Sequence, residues 1–372
     1  MRVGIPTETK NSEFRVAITP AGVATLTHRG HEVLVQAGAG EGSAIADADF
    51  KAAGAELIDT AEQVWAEADL VLKVKEPMPA EYELLRSGQI LFTYLHLAAS
   101  RACTDALLAA GTTSIAYETV ETGGGALPLL APMSEVAGRL SAQVGAYQLM
   151  RTHGGPPSRR GVLMGGVPGV EPADVVVIGG GTAGYNAARV ASGMGAMVTV
   201  FDLNINRLRD LEAEFGVRVR TRYSSSYDLE DAVKSADLVI GAVLVPGAKA
   251  PTLVSNSLVA HMKPGAVLVD IAIDQGGCFE DSRPTTHDHP TFTVHDTVFY
   301  CVANMPSAVP RTSTYALTNA TMPYVLKLAD LGWRAACDSD PTLAKGLSTH
   351  EGALLAERVA TDLGLPFSPL RR

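Results

Sequence analysis

The run Val175-Val176-Val177-Ile178-Gly179-Gly180-Gly181-Thr182-Ala183-Gly184 constrains this chain more than any other segment, because an apolar strand runs directly into Gly-x-Gly-x-x-Gly and the following residues read as a helix. A strand, tight turn and helix in that order form the phosphate-binding corner of a βαβ unit. Gly179 allows the turn, Gly181 lets the backbone approach a pyrophosphate, and Gly184 lets the helix sit close to the strand. The free N–H groups that begin the helix offer partial positive charge to the phosphates. A second strand, Ala196–Phe201, ends at Asp202, where an acid hydrogen-bonds the ribose hydroxyls and repels a 2′-phosphate. The pattern predicts a bound dinucleotide, NAD rather than NADP. The competing reading is a glycine-rich turn without a ligand.

At 372 residues the chain exceeds one small core, and ordinary domain sizes predict two domains, one interrupted by the other. Its 47% hydrophobic and 19% charged residues, with 36 glycines, are the composition of a globular α/β protein rather than a disordered or fibrous one. With 30 basic and 40 acidic residues the net charge is −10, which gives no electrostatic footprint for nucleic acid or an anionic membrane. An anionic substrate must therefore be held by local cations. Cys103, Cys278, Cys301 and Cys337 lack C-x-x-C spacing and read as reduced, partly buried thiols rather than a zinc site or redox pair. The N-terminal segment has no apolar core of signal-peptide length, and no stretch reaches the roughly 18 apolar residues of a membrane span. A cytoplasmic protein is expected.

Before the glycine turn, strands are predicted at Arg2–Ile5, Glu32–Gln36, Leu70–Val74, Ile90–Tyr94 and Ser114–Tyr117, with a helix over about Pro20–Arg29. That alternation implies βαβ units and a parallel sheet. A long helix over Ser134–Met150 follows, then Gly154–Gly161, a mobile surface turn by its glycine and proline content. Further strands are predicted at Leu238–Val243, Ala266–Ile271 and near Thr297–Val302, and helices at Thr318–Leu331 and Thr349–Leu363. The fold expected is α/β, with two Rossmann-like domains built on parallel sheets. The dinucleotide domain, residues 134–311, interrupts a discontinuous substrate domain made of 1–133 and a helical return over 312–372.

A dehydrogenase acting on a small acid needs cations for the carboxylate and an acid/base group for the proton that accompanies the hydride. Arg15, in Glu13-Phe14-Arg15-Val16-Ala17, can grip a carboxylate through two parallel hydrogen bonds; the alternative is a surface ion pair with Glu8 or Glu13. Lys75 closes an apolar strand beside Lys73, and such a pair is either a substrate site or simply solvated. His96 follows the strand Ile90–Leu95 and can exchange a proton near neutral pH, or serve as a hydrogen-bonded core histidine. Of Asp270 and Asp274, the second borders glycines beyond a strand end and is favoured as the catalytic acid. Asp270 reads as structural or cofactor-side. Asn304-Met305 offers an amide for the nicotinamide or ribose. His287 and His289 have no third partner at metal-ligand spacing, so no metal site is assigned.

Together these residues resemble the alanine dehydrogenase family, over essentially the whole chain. The most specific pieces are Gly4-Ile5-Pro6-Thr7-Glu8-Thr9-Lys10, Glu13-x-Arg15-Val16-Ala17-x-Thr19-Pro20, Lys73-Val74-Lys75-Glu76-Pro77, Tyr94-Leu95-His96-Leu97-Ala98, the glycine turn and Val269-Asp270-Ile271-Ala272-Ile273-Asp274-Gln275-Gly276-Gly277. The resemblance implies that Arg15 and Lys75 bind the substrate carboxylate and its neighbouring oxygen or nitrogen, and that His96 and Asp274 carry the acid/base steps. It implies that Ser134, Thr182, Asp202, Arg207, Ser224, Arg283 and Asn304 line the NAD, with the backbone near Val243–Leu244 and Ile271–Asp274. Pro156–Arg159 looks longer than the corresponding family loop.

The activity implied is reversible NAD-dependent oxidative deamination of L-alanine to pyruvate and ammonium, with glyoxylate amination as a side activity. Groups from both halves of the chain must then converge on the nicotinamide. Two readings compete with it: an NAD(H)-binding subunit of a proton-translocating transhydrogenase, and a catalytically silent NADH-binding module. A homohexamer is also implied. The small-residue helix Val136–Ala146 either packs against a partner subunit or packs within its own chain.

Overall fold

The structure, a computed structural model, describes residues 1–151, 160–243 and 250–370. It contains two compact units, Met1–Met133 with Val309–Arg372, and Ser134–Ala308. In the first unit β1 (Arg2–Ile5), β2 (Glu32–Gln36), β3 (Glu56–Ile58), β4 (Leu70–Leu72), β5 (Ile90–Thr93) and β6 (Thr113–Ala116) lie parallel in the order β3-β2-β1-β4-β5-β6. The central strands β4 and β5 are buried along their whole length, as parallel strands covered on both faces must be. Their polar backbone is satisfied within the sheet. The order of connection reverses between β1 and β4, and in open α/β sheets the crevice at such a reversal, beyond the carboxyl ends of the strands, is where ligands bind.

The second unit repeats this plan with β7 (Asp174–Ile178), β8 (Met197–Asp202), β9 (Val219–Tyr223), β10 (Leu238–Gly241), β11 (Val267–Asp270), β12 (Thr291–Val294) and β13 (Thr297–Tyr300). Their order is β12-β13-β11-β10-β7-β8-β9, parallel except for the antiparallel edge strand β12, and the reversal falls between β7 and β10. Helix Ala131–Leu149 brings Gly138 so near the helix that follows β7 that an added Cβ would lie 2.1 Å from the Ala183 carbonyl oxygen. A Cβ on Gly145 would meet the Leu238 side chain at 2.6 Å. These small residues serve packing within the unit.

The chain returns to the first sheet through helix Pro310–Ser339, interrupted at Gly332 (φ +74), and adds β14 (Leu347–His350), antiparallel to β6, and β15 (Ala353–Leu354), antiparallel to β14. The helix expected over Thr349–Leu363 is therefore corrected: only Glu357–Leu363 is helical. Glu351 (φ 46) and Gly352 (φ 79) both take the left-handed conformation, and a two-residue turn of that kind joins strands rather than continuing a helix. The apolar strand at Leu70 also ends at Leu72, not Val74, because the Val74 N–H leaves the ladder for the Glu8 carboxylate at 2.6 Å. Pro156–Arg159, singled out in the sequence, lies outside the described residues. Among the described residues no helix is long and apolar enough to cross a membrane.

Candidate active site

In the first unit, the carboxyl ends of β1, β4, β5 and β6 deliver charged side chains to one edge. Glu8, three residues beyond β1, accepts from the Val74 and Lys75 N–H groups (2.6 and 3.3 Å) and lies 3.1 Å from Lys73 Nζ, which is also 2.9 Å from Glu81 Oε1. Lys73 is wholly buried. Burial opposes its charge, but the two carboxylates more than offset this and hold its pKa above the usual lysine value. Burial also raises the Glu8 pKa, against the pull of Lys73 and the Val74 N–H. The solvated lysine pair open from sequence is thus corrected: Lys73 is part of a buried ionic cluster and Lys75 is only 7% exposed.

Lys75 Nζ lies 5.9 Å from the Tyr94 ring centroid, and the His96 ring stacks with the same Tyr94 ring, centroids 6.0 Å apart and 14° between planes. The Tyr94 hydroxyl donates to the Leu129 carbonyl at 2.5 Å, and burial raises its pKa despite the opposing charge of Arg15. Arg15 is buried, with Nε and Nη2 held by the two Glu13 oxygens at 2.6 and 2.5 Å. The sequence alternative of a pair with Glu13 is what forms, but in the core rather than on the surface. Its Nε–Nη2 edge is occupied by Glu13, while Nη1 faces the Met133 sulfur at 2.9 Å. The structure brings Arg15, Lys75 and His96 into one cluster around Tyr94.

In the second unit the glycine turn has the local geometry its sequence requires. Gly179 has φ +99, and Gly184 comes so near the strand end that an added Cβ would lie 1.7 Å from the Gly179 carbonyl oxygen. A Cβ on Gly181, by contrast, would meet nothing within 4 Å. Thr182 opens helix Thr182–Gly193, whose Gly181 N-cap supplies no side-chain hydrogen bond. Asp202, at the end of β8, accepts from Gly180 N–H at 2.7 Å and Asn204 N–H at 2.7 Å, so it ties the turn to the next strand. Arg207 donates to the Gly180 carbonyl and lies over the Tyr185 ring at 5.5 Å.

Ser224 follows β9, with its N–H on the Asp202 carbonyl at 3.0 Å. Val243 follows β10, and Ile271 and Asp274 lie on the 3-10 turn Ile271–Gln275 after β11, with Asp274 exposed. Asp270, wholly buried, caps that turn by accepting from Ala272 N–H (3.0 Å), Cys278 N–H (2.9 Å) and Ser282 Oγ (2.5 Å). Asn304 has φ +61 beside buried Met305; exposed Arg283 covers the Phe292 ring at 4.3 Å. Ser134 is on helix Ala131–Leu149. Leu244 lies outside the described residues. All four cysteines are buried, and burial raises the thiol pKa of Cys103 and Cys301 to about 12 and of Cys337 to about 11.

Sequence reasoning gave no role to Tyr94, Glu81 or Glu118, and gave Glu13 only that of a surface ion-pair partner for Arg15. Tyr94 and Glu118 each follow the last residue of a buried strand by one or two positions, and the carboxyl-edge rule applied to β5 and β6 would have found both.

Two α/β units, each reversing its strand order at the centre and one carrying a phosphate-binding glycine turn, define a two-domain protein of the dinucleotide-binding class. The chain belongs to the alanine dehydrogenase/PNT family, whose N-terminal domain profile matches residues 4–137 and whose C-terminal domain profile matches residues 141–357. It is 83% identical over 368 residues to the alanine dehydrogenase of Mycobacterium tuberculosis, covering 99% of this chain and 98% of that one. A solved L-alanine dehydrogenase superposes with a TM-score of 0.94 at 52% identity, over 98% of this chain and 99% of the other. A transhydrogenase from Sinorhizobium meliloti is more distant, with a TM-score of 0.82 at 26% identity, over 95% of this chain and 100% of that one.

Proposed function

We propose that this protein is an NAD-dependent L-alanine dehydrogenase, interconverting L-alanine with pyruvate and ammonium, with the first unit as the substrate domain and the second as the NAD domain. The observation that carries this reading is the cluster of Arg15, Lys75 and His96 around Tyr94 at a strand edge, since a module that only bound nucleotide would need none of these cations or proton carriers. The glycine turn fits a dinucleotide: Gly181 leaves space for a pyrophosphate, and the helix behind it presents N–H groups that no side chain caps. NAD, when bound, supplies the hydride acceptor.

Lys75 neutralises the substrate carboxylate, and Arg15, its charge balanced by Glu13, contributes N–H donors and shape more than net charge. Both hold the imine left when hydride departs from the α-carbon. Asp274 acts as base for the water that adds to this imine, and His96 moves a proton to or from the oxygen as ammonia leaves. Fixed cations stabilise the negative charge that develops in the reverse direction. Ser134, Thr182, Asp202, Arg207, Ser224, Val243, Leu244, Ile271, Arg283, Asn304 and Met305 are the residues assigned to NAD.

One assay separates this from its rivals: purified protein with NAD and L-alanine should form NADH. No NADH with alanine, but tight NADH binding, would leave the transhydrogenase-subunit or silent-module reading; supplying glyoxylate and ammonium with NADH tests the side activity. For the cofactor, Asp202→Ala should narrow the ratio of kcat/KM for NAD over NADP, because it removes the carboxylate that repels a 2′-phosphate. An unchanged ratio would assign the preference to another group. The assembly proposed is a homohexamer, which light scattering of the purified protein tests.

A further inference from the structure

His96 sits in the left-handed backbone conformation, which only a small share of non-glycine residues adopt. Its φ of 48° and ψ of 39° are left-handed, a region where an L-residue's Cβ crowds the following carbonyl and which histidine enters more often than most side chains but still seldom. Glu118 Oε1 accepts the His96 N–H at 2.7 Å and the Leu95 N–H at 3.2 Å, and Oε2 reaches the same Leu95 N–H at 3.2 Å. Two successive N–H groups converging on one anion form a nest, a geometry that elsewhere in proteins captures phosphate or other free anions. Here the anion is supplied by the chain itself, from the 3-10 turn Tyr117–Thr119 just beyond β6. The next turn is closed by the Ala99 N–H on the His96 carbonyl at 2.9 Å, so the backbone on both sides of the imidazole is fixed.

We propose that Glu118 is a positioning residue for His96, its carboxylate filling a backbone nest that keeps His96 left-handed and so aims the imidazole alongside Tyr94. The inference rests on the proton-transfer role proposed for His96 above. Without the carboxylate the two N–H groups lose their acceptor, the left-handed conformation loses its compensation, and residue 96 relaxes toward the ordinary helical or extended regions. That rotation carries the ring away from its place in the cluster. Tyr94, held by Leu129, stays where it is.

The test compares four purified proteins: Glu118→Ala, Glu118→Gln, His96→Ala and the Glu118→Ala/His96→Ala double variant. Glu118→Ala should lower kcat for alanine oxidation by about 100-fold, the loss typical of a catalytic group displaced by an ångström, with NADH affinity unchanged. Its solvent deuterium isotope effect on kcat should rise, since a misplaced imidazole makes proton transfer slow; a merely smaller fraction of active enzyme would leave that effect as it was. Glu118→Gln should retain most of the activity, because one carbonyl oxygen in the place of Oε1 can accept both N–H groups. The double variant should be no slower than His96→Ala, as a residue that acts only through another adds nothing once that one is gone.

Wild-type turnover in Glu118→Ala beside an impaired His96→Ala overturns the inference alone, and so do losses that multiply in the double variant. Wild-type turnover in His96→Ala overturns the proposed role of His96, and the inference with it. Should Glu118→Ala fail to give a cooperative melting transition, Glu118→Asp, one methylene shorter, takes its place in the same cycle with the same outcomes.

Discussion

Replacing Lys73 with methionine is expected to destabilise the first unit by about 3–5 kcal/mol at neutral pH, the usual range when one partner of a buried ion pair is removed. Methionine fills nearly the same volume, so the loss reports charge rather than a cavity. In the wild type one ammonium serves two buried carboxylates, Glu8 at 3.1 Å and Glu81 at 2.9 Å, and without it both remain buried with only backbone and hydroxyl donors. Burial already raises the Glu8 pKa, and losing the opposing Lys73 charge raises it further. The sign of the pH dependence follows. A carboxyl group whose folded pKa exceeds its unfolded value binds its proton more tightly in the folded state, so stability falls as pH rises through the window between the two values and recovers as pH falls. The deficit of the variant should therefore be largest at neutral pH and shrink toward about pH 5, where Glu8 can take up a proton. Adding Glu8→Gln to Lys73→Met should recover part of the lost stability by removing one uncompensated charge. Urea midpoints of the three proteins at both pH values decide it. An unchanged midpoint at neutral pH, or a deficit that grows on acidification, would refute the account.

The fold was legible wherever buried parallel strands leave an uninterrupted apolar run, as at Val175–Ile178, Leu238–Gly241 and Val267–Asp270, each of which forms a central strand. It was not legible at β9, where Arg220 and Arg222 interrupt an edge strand, or at β14 and β15, whose pairing depends on a two-residue turn rather than on apolar content. Edge strands bury only part of their surface, so their sequences need carry little hydrophobic signal. In the site, Lys75 could be picked out because it closes an apolar run and Arg15 because it stands just before one. Their partners were legible only in part: the Glu13–Arg15 pair is local and is among those the spacing offers, although its burial is not encoded there, whereas Glu81 joining Glu8 at Lys73 depends on how β1 and β4 lie side by side.

His96→Ala and Asp274→Ala are each expected to lower kcat for alanine oxidation by about 10²–10⁴-fold, the range for a positioned general acid or base, while NADH still binds. Neither side chain is needed to hold its own backbone. His96 is fixed through its main-chain N–H and carbonyl, and its ring is partly exposed beside Tyr94. Asp274 is exposed on a turn that Asp270 caps and that Gly276, at φ +91, terminates. Truncating either at Cβ therefore removes chemistry and leaves the fold, so thermal midpoints should match the wild type and NADH fluorescence titrations should be unchanged. The two losses also carry mechanistic information. If the imidazole and the carboxylate serve one proton sequence around the imine, the double variant should be little slower than the slower single one; if they serve separate steps with comparable barriers, the single variants should differ in their primary isotope effect with α-deuterated alanine. Turnover near the wild-type level in either variant would remove that residue from the reaction, and the same result in both would leave the Arg15, Lys75 and Tyr94 cluster as a binding site without acid/base chemistry.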